Sequence, residues 1–176
     1  MNKKATSRIL FLFSLLLFIF YESNLKTVTG VNNILDMMLY YDLEIIKEFY
    51  LQLGIQGRNM YKILHRLDYL FIFCFACMQF FLIKDKLQNI KSNIKDWIFF
   101  VPVFARGIFD VLENIFLDII INSNLSYVGT LAQTAYLMTF LKWVSLALLI
   151  SELIYLIIQS KNIHILKKLS RAEAVN

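Results

Sequence analysis

The feature that most constrains this chain is a set of four long apolar runs separated by short polar segments. A helix needs about 20 apolar residues to cross the hydrocarbon layer of a bilayer, because each residue adds only about 1.5 Å and unpaired backbone groups are costly in lipid. The runs cover about residues 9–22, 67–83, 97–122 and 135–158. They predict an all-α protein, a four-helix transmembrane bundle, in which residues 1–176 form a single membrane domain.

Charged residues are scarce in this chain and grouped along it. They make up 18% of the residues, whereas a soluble domain of this size has about a quarter. The net charge of +5 comes from Lys and Arg beside the apolar runs, not along one amphipathic face. Basic residues beside apolar runs are typical of membrane proteins, in which they set the orientation of the spans, and this placement argues against a nucleic-acid partner. The expected partner is the lipid bilayer of a plasma or inner membrane.

The positions of the basic residues predict which segments face the cytoplasm. The segments before the first run, after the second and after the fourth are rich in basic residues, whereas the loop from Ser123 to Thr134 has none. The basic residues concerned are Lys3, Lys4, Arg8, Lys84, Lys86, Lys91, Lys95, Lys161, Lys167, Lys168 and Arg171. Both termini are therefore expected in the cytoplasm, and the loop that begins at Ser123 outside.

The first run is short and follows basic residues, which is also the layout of a signal peptide. No small-x-small cleavage site follows Tyr21. This favours a first span that stays in the protein, and a removed signal is the alternative.

An amphipathic helix is predicted at about residues 43–53, on the external side between the first two spans. Asp42 is placed to cap its start and Gly54 to end it. Apolar residues recur at helical spacing, namely Leu43, Ile46, Phe49, Tyr50 and Leu53. We expect this helix to rest on the outer lipid surface or on the bundle, and the alternative is that it binds a partner.

The third and fourth runs contain ionisable residues, which cost upwards of about 2.5 kcal/mol each at the centre of a membrane helix. On the third run, Arg106, Asp110 and Glu113 share one face, with Asn114 at its edge. The fourth run supplies Lys142 and Glu152. If the two helices are antiparallel, Glu113 lies at the depth of Lys142, and Arg106 pairs more loosely with Glu152. The sequence therefore predicts an intramembrane polar cluster.

The predicted cluster has two interpretations. Its ion pairs fix the register between helices, or its side chains line a polar cavity for a headgroup, an ion or a proton. The leading hypothesis is a non-enzymatic protein that binds a lipid, an ion or a membrane partner through this cluster. One alternative is an intramembrane enzyme for a lipophilic substrate, with Glu113 or Asp110 as the acid and Lys142 holding negative charge. Another alternative is a structural subunit of a membrane complex.

Other candidate residues carry weaker signals. Arg58, Asp68 and Asp118 are expected at the outer interface, where water reaches both acids. Cys74 and Cys77 form a Cys-x-x-Cys within an apolar run, which favours two buried thiols over redox chemistry. No spacing of Cys and His suits zinc, so neither a metal nor a cofactor is expected.

A set of short motifs between about residues 35 and 145 is shared with a known group of proteins. The motifs are Gly57-Arg58, Tyr61, Leu67-Asp68, Phe71, Pro102, Asp110-x-x-Glu113-Asn114 and Lys142-Trp143. By these motifs the chain resembles a loose group of small bacterial four-span membrane proteins of unknown function. The resemblance implies a membrane location and four helices, and no reaction. It also implies that the ionisable stripe and the Gly57-Arg58 segment belong together.

Overall fold

The computed structural model describes residues 3–31, 34–88, 95–122 and 128–173, and every regular element in these ranges is helical. The α-helices are α1 (Lys3–Thr29), α2 (Leu43–Leu87), α3 (Val101–Asn122) and α4 (Gly129–Glu173). Short 3₁₀ helices at Leu35–Met37 and Asp96–Phe100 precede α2 and α3. The predicted all-α class is confirmed.

Three of the helices are long and apolar enough to cross a membrane. The qualifying segments are Ala5–Thr29 in α1, Leu43–Leu87 in α2 and Gly129–Lys161 in α4. Helix α3 has 22 residues, which at about 1.5 Å per residue is sufficient to span the hydrocarbon layer. It is not among the three because four charged residues interrupt its apolar sequence, namely Arg106, Asp110, Glu113 and Asp118.

The helices pack mainly as two pairs, α1 along α2 and α3 along α4, and α2 also contacts α3 and α4. Aromatic rings join the first pair. Phe11 stacks on Phe75 with ring centroids 5.1 Å apart, and Phe18 stacks on Phe71 at 5.7 Å. Helix α1 therefore covers one face of α2, and its Phe18 belongs to the buried core.

Helix α2 contains a sharp break at the position that the sequence predicts. Asp42 Oδ1 accepts a hydrogen bond from the amide of Ile45 at 2.9 Å, and Gly54 has φ of 59° and ψ of −169°. A positive φ favours glycine, which has no Cβ atom to clash with the backbone. The predicted start at Asp42 and break at Gly54 are therefore observed, and the external position of this segment stays a prediction.

The buried face of this amphipathic segment packs against the other helices. Ile46, Tyr50 and Leu53 are buried, and the Tyr50 hydroxyl donates to the Leu117 carbonyl of α3 at 3.2 Å. Arg58 Nε donates across the break to the Tyr50 carbonyl at 3.1 Å. That carbonyl lies in the last turn before Gly54, where a helix leaves its carbonyls without partners. Arg58 therefore stabilises the end of the amphipathic segment.

Helices α1, α2 and α4 are longer than the apolar runs that predicted them, whereas α3 begins at Val101, after the predicted start at Trp97. Polar residues that favour helices, such as Lys and Gln, continue them beyond the predicted bounds, and α4 therefore extends to Glu173. Trp97 lies in the 3₁₀ helix before α3, and Pro102 stands in the first turn of α3, where its missing N–H is no loss. Lys91 and the residues 123–127 of the predicted external loop lie outside the described residues.

Gly57 allows α1 and α2 to approach each other. A Cβ atom at this position would lie 2.5 Å from Thr29 Cγ2. Thr29 cannot easily rotate away, because its hydroxyl donates to the Leu25 carbonyl at 2.7 Å and accepts from the Val31 amide at 3.3 Å. The contact between the end of α1 and α2 therefore requires glycine.

Replacing Gly57 by Ala is expected to lower the free energy of unfolding by about 1–3 kcal/mol, because it crowds a packed contact. Denaturant unfolding in detergent micelles measures the change. Gly107→Ala is the matched control within a helix, since its added Cβ would meet Ile72 Cγ2 at an ordinary 3.7 Å. An equal loss in both variants would contradict this role for Gly57.

Candidate functional site

A group of buried polar side chains lies where α2, α3 and α4 meet, and we call it the polar cluster. Each member is at most 7% exposed. The members are Asp68, Arg106, Asp110, Glu113, Asn114, Thr139 and Lys142. The spacing of three or four residues along α3 turns its members to one face, so that they point at α2 and α4 and away from the surroundings.

Lys142 of α4 joins two acids of α3. Its Nζ atom lies 2.5 Å from Glu113 Oε2 and 3.0 Å from Asp110 Oδ1. The predicted pairing of Glu113 with Lys142 is therefore observed. A buried charge is tolerated when it is paired and hydrogen-bonded, so this contact offsets the cost of burying three ionised groups.

Arg106 pairs along its own helix. Its Nη2 atom lies 3.1 Å from Asp110 Oδ2, and its guanidinium carbon lies 4.3 Å from the centre of the Phe75 ring. The prediction that Arg106 pairs with Glu152 is wrong, because Asp110 lies one helical turn away on the same face. Among the described residues, neither Arg106 Nε nor Glu152 Oε2 has a hydrogen-bond partner.

The second oxygen of the Glu113 carboxylate belongs to a hydrogen-bonded chain. Thr139 Oγ1 donates to Glu113 Oε1 at 2.6 Å, and the Tyr41 hydroxyl lies 2.8 Å from Thr139 Oγ1. Neither residue was among those predicted from the sequence. Thr139 precedes Lys142 by one helical turn, which is a signal that identifies it. Tyr41 lies ahead of α2 in a segment without periodicity, so no sequence pattern indicates it.

Asp68 belongs to the polar cluster and not to a solvated interface. Its side chain is buried, and Asn114 Nδ2 donates to Asp68 Oδ2 at 2.6 Å. The expectation that water reaches Asp68 is wrong because α2 is helical well before Leu67. Asp68 is therefore in the interior of a helix, on a face that is packed against α3.

Asp118 is more accessible than Asp68. Its side chain is 35% exposed, and its Oδ1 atom lies 2.7 Å from Nδ1 of the fully buried His65 ring. The contact between His65 and Asp118 was not predicted from the sequence either. His65 lies one helical turn before Asp68 on the same face of α2, which is the pattern that indicates its burial.

A cavity of about 340 Å³ separates α1 from the polar cluster. Five charged side chains line it, namely Glu22, Asp68, Arg106, Asp110 and Lys142. The other lining residues are mainly apolar, namely Leu15, Phe18, Ile19, Met37, Phe71, Trp143 and Leu146. Ile19 and Met37 are 50% and 53% exposed, so the cavity reaches the protein surface beside them. Its volume is in the range of small-ligand sites, about 300–1,000 Å³.

Two nitrogen donors on residues that line this cavity are buried without an acceptor among the described residues. They are Arg106 Nε and Trp143 Nε1. A buried donor that lacks an acceptor costs about 1–3 kcal/mol.

Metal chemistry receives no support from the part of the chain that the structure describes. Within it, no group of three or more His, Cys, Asp or Glu side chains is arranged to hold a metal ion. Cys74 and Cys77 are free thiols there.

Comparison with known proteins identifies no relative: no protein-family model, no curated protein and no solved structure matches the chain. Its resemblance to small four-span membrane proteins stays a prediction. The function is therefore argued from the geometry of the polar cluster and its cavity.

Removing the charge of Lys142 tests whether the ion pairs of the polar cluster stabilise the fold. Lys142→Met is expected to lower the free energy of unfolding by about 3–5 kcal/mol, because it removes the cation that contacts the buried Glu113 carboxylate, while Asp110 keeps its contact with Arg106. Adding Glu113→Gln is expected to restore part of that loss, because residue 113 then carries a neutral amide in place of a carboxylate. Denaturant unfolding in micelles measures both changes.

Arg66→Met serves as the control for a lost cation, since Arg66 is exposed and its replacement is expected to change stability by about 0.5 kcal/mol or less. If the single and double variants were equally unstable, the contact between Lys142 and Glu113 would not be energetically significant.

Proposed function

We propose that the chain is a four-span integral membrane protein that binds the headgroup of a membrane lipid in the cavity between α1 and the polar cluster. The observation that carries this proposal is the lining of the cavity, which combines five charged side chains with seven mainly apolar ones. A lipid has the same two parts, a polar headgroup and apolar chains. Ligand sites commonly combine apolar walls with a few placed polar groups in this way.

The proposed fourth span is α3. Its length suffices, and its ionisable side chains face other helices, where Arg106, Asp110 and Glu113 are paired. Pairing lowers the cost of such residues in a membrane helix. With α3 as a span, the chain crosses the membrane an even number of times. Both termini then lie in the cytoplasm, as the basic residues predict.

The proposal requires that α1 stays in the mature protein. Leu15 and Phe18 of α1 form part of the cavity wall, opposite Asp110 and Lys142. Without α1 these charged side chains would lose their cover and face lipid, at a cost of at least about 2.5 kcal/mol each by insertion scales. The packing of α1 on α2 therefore supports a retained first helix over a removed signal.

The geometry supports binding better than acid catalysis. Glu113 is fully buried, is absent from the cavity wall and is held by Lys142 and Thr139. Asp110 reaches the wall, but both of its oxygens contact cations. A general acid needs a proton and access to the substrate. A purely structural role for the cluster explains its ion pairs but not the adjoining cavity.

Thiol accessibility distinguishes four spans from three. In a variant without Cys74 and Cys77, a cysteine at Thr130 is expected to react in intact cells with a membrane-impermeant maleimide, and one at Lys161 only after permeabilisation. Both positions are exposed in α4. If α3 did not cross the membrane, the pattern would be reversed. Labelling of both cysteines in permeabilised cells is the control for reactivity.

Filling the cavity tests lipid binding. Leu15 lines the cavity, whereas its neighbour Leu16 is 66% exposed on α1 and is not a lining residue. We expect native mass spectrometry to detect one retained lipid on the wild-type protein and on Leu16→Trp. Leu15→Trp is expected to lower the bound fraction by about tenfold or more, which corresponds to about 1.4 kcal/mol.

The wild-type protein must be purified in a mild detergent for this measurement, and circular dichroism of each variant establishes that the helices remain. Wild-type protein that retained no lipid, or equal retention by the two tryptophan variants, would count against the cavity as a lipid site.

A further inference from the structure

Glu152 is an acid in the apolar part of α4 that takes no part in the polar cluster. It lies within the apolar segment Gly129–Lys161, and among the four residues on either side of it only Ser151 and Tyr155 have polar side chains. We propose that Glu152 is a proton-binding site, a carboxyl group that holds a proton at a pH where exposed acids are ionised and releases it as the pH rises. This inference does not depend on lipid binding in the cavity.

The first supporting feature is the position of the carboxyl group. Glu152 lies three residues after Leu149 and four before Leu156, so it shares the helical face that carries both leucines. Leu149 and Leu156 belong to an apolar cluster that α4 forms with α2, α3 and the 3₁₀ helix before α3. The Oε2 atom of Glu152 is itself buried. An ionised carboxylate is costly in such surroundings, and binding a proton removes its charge.

The second feature is the lack of a counter-charge. The two cations of the polar cluster are already paired, Arg106 with Asp110, and Lys142 with Asp110 and Glu113. The nearest hydroxyl along the helix, that of Ser151, donates to a backbone carbonyl at 2.9 Å. Among the described residues, Glu152 Oε2 therefore has no hydrogen-bond partner. Nothing in this part of the chain offsets the burial of an ionised carboxyl group here.

The other titratable groups on the elements packed around Glu152 lie at the surface or near helix ends. Lys84, Lys95, Asp96 and Tyr155 are exposed, and Asp85 and Lys86 are half-buried in the last turn of α2. Within the described ranges, burial is the influence that acts on the Glu152 carboxyl group, and no charged side chain lies close enough to add to it. A proton is therefore the ligand that neutralises this acid.

The third feature is another oxygen atom without a donor. Gln79 of α2 lies three residues after Ala76 and four before Ile83, and both of these neighbours pack in the same apolar cluster. Gln79 Oε1 is buried and has no hydrogen-bond partner in the part of the chain that the structure describes. An ionised carboxylate can only accept hydrogen bonds, whereas a protonated one also donates. Proton binding by Glu152 thus brings a donor into a region that contains two unsatisfied acceptors.

Ring contacts place these two side chains at a similar depth. Phe80, which follows Gln79, packs against the ring of Phe100 with centroids 4.7 Å apart. Tyr155, three residues after Glu152, stacks on a ring of the same 3₁₀ helix at 6.5 Å. Gln79 and Glu152 therefore lie within about one helical turn, about 5.4 Å, of the same level.

A hydrophobic carbodiimide tests for the bound proton. The acid proton moves to one nitrogen of the carbodiimide and the carboxyl oxygen bonds to its central carbon; the adduct then rearranges to a stable N-acylurea without losing an atom. Full-length protein in a mild detergent is treated with dicyclohexylcarbodiimide, and the labelled residue is identified by peptide mass spectrometry. We expect labelling of Glu152 at about pH 6, where exposed glutamates are ionised. At about pH 9 we expect it to be lower by about threefold or more.

Matched variants and a second reagent are the controls. Glu152→Gln is expected to abolish the labelling, because the amide has no acidic proton. Glu48→Gln is expected to leave it unchanged, because Glu48 is exposed in the amphipathic segment. A water-soluble carbodiimide is expected to label exposed acids such as Glu48 and not Glu152.

The dependence of stability on pH is an independent measurement. A proton held by the folded chain and not by the unfolded chain stabilises the fold at low pH, and this stabilisation is lost as the pH rises and the proton is released. Denaturant unfolding in micelles measures it. Between about pH 5 and about pH 9, the folding equilibrium constant of the wild-type protein is expected to fall by about fivefold or more relative to that of Glu152→Gln.

Two results would overturn the assignment of Glu152 as a proton-binding site. One is the absence of carbodiimide labelling at Glu152 at about pH 6, or equal labelling of Glu48 by the hydrophobic reagent. The other is a stability difference between the wild-type protein and Glu152→Gln that does not change with pH. Neither result bears on the cavity beside α1, and a failure of lipid binding there would leave the proton site intact.

Discussion

The rest of the structure depends on the cost of burying charge in apolar surroundings. Helix α3 carries more ionised groups than a lipid-facing helix tolerates, and Lys142 of α4 contacts two of them. This contact sets the register between α3 and α4, since a shift by one turn would separate Lys142 from Glu113. Asn114 then ties the same face of α3 to Asp68 of α2. One electrostatic requirement therefore brings three helices together.

The cavity is a consequence of how α1 covers the polar cluster. Phenylalanine rings hold α1 against α2, and Gly57 lets Thr29 approach at the end of α1. Between these contacts, the apolar side chains of α1 face charged groups with which they cannot form hydrogen bonds. Space remains there, lined by both charged and apolar side chains. The packing that covers the polar cluster thus also leaves a cavity beside it.

The parts of this fold that sequence reasoning predicted depend on local rules. The amphipathic segment begins at Asp42 and breaks at Gly54 because capping and positive φ are properties of single residues. Glu113 was matched to Lys142 by counting helical rise. Two predictions were wrong because they depend on how whole helices pack. Arg106 had two acids within reach and pairs with Asp110 instead of Glu152. Asp68 was expected to be solvated, but it is buried because α2 extends beyond its apolar run.

By itself, the sequence determined that the chain is helical and that the charges of α3 must find partners. It also predicted four membrane spans, and three helices of the structure are long and apolar enough to cross a membrane. These conclusions follow from periodicity and from the cost of solvating charge in lipid. Only the tertiary structure decided which partners they find. It brought Thr139 to Glu113, which is 26 positions away along the chain, and Tyr41 to Thr139, which is 98 positions away. It also left the cavity beside α1, because unfilled volume between helices depends on how whole surfaces fit together, and no periodic pattern encodes that.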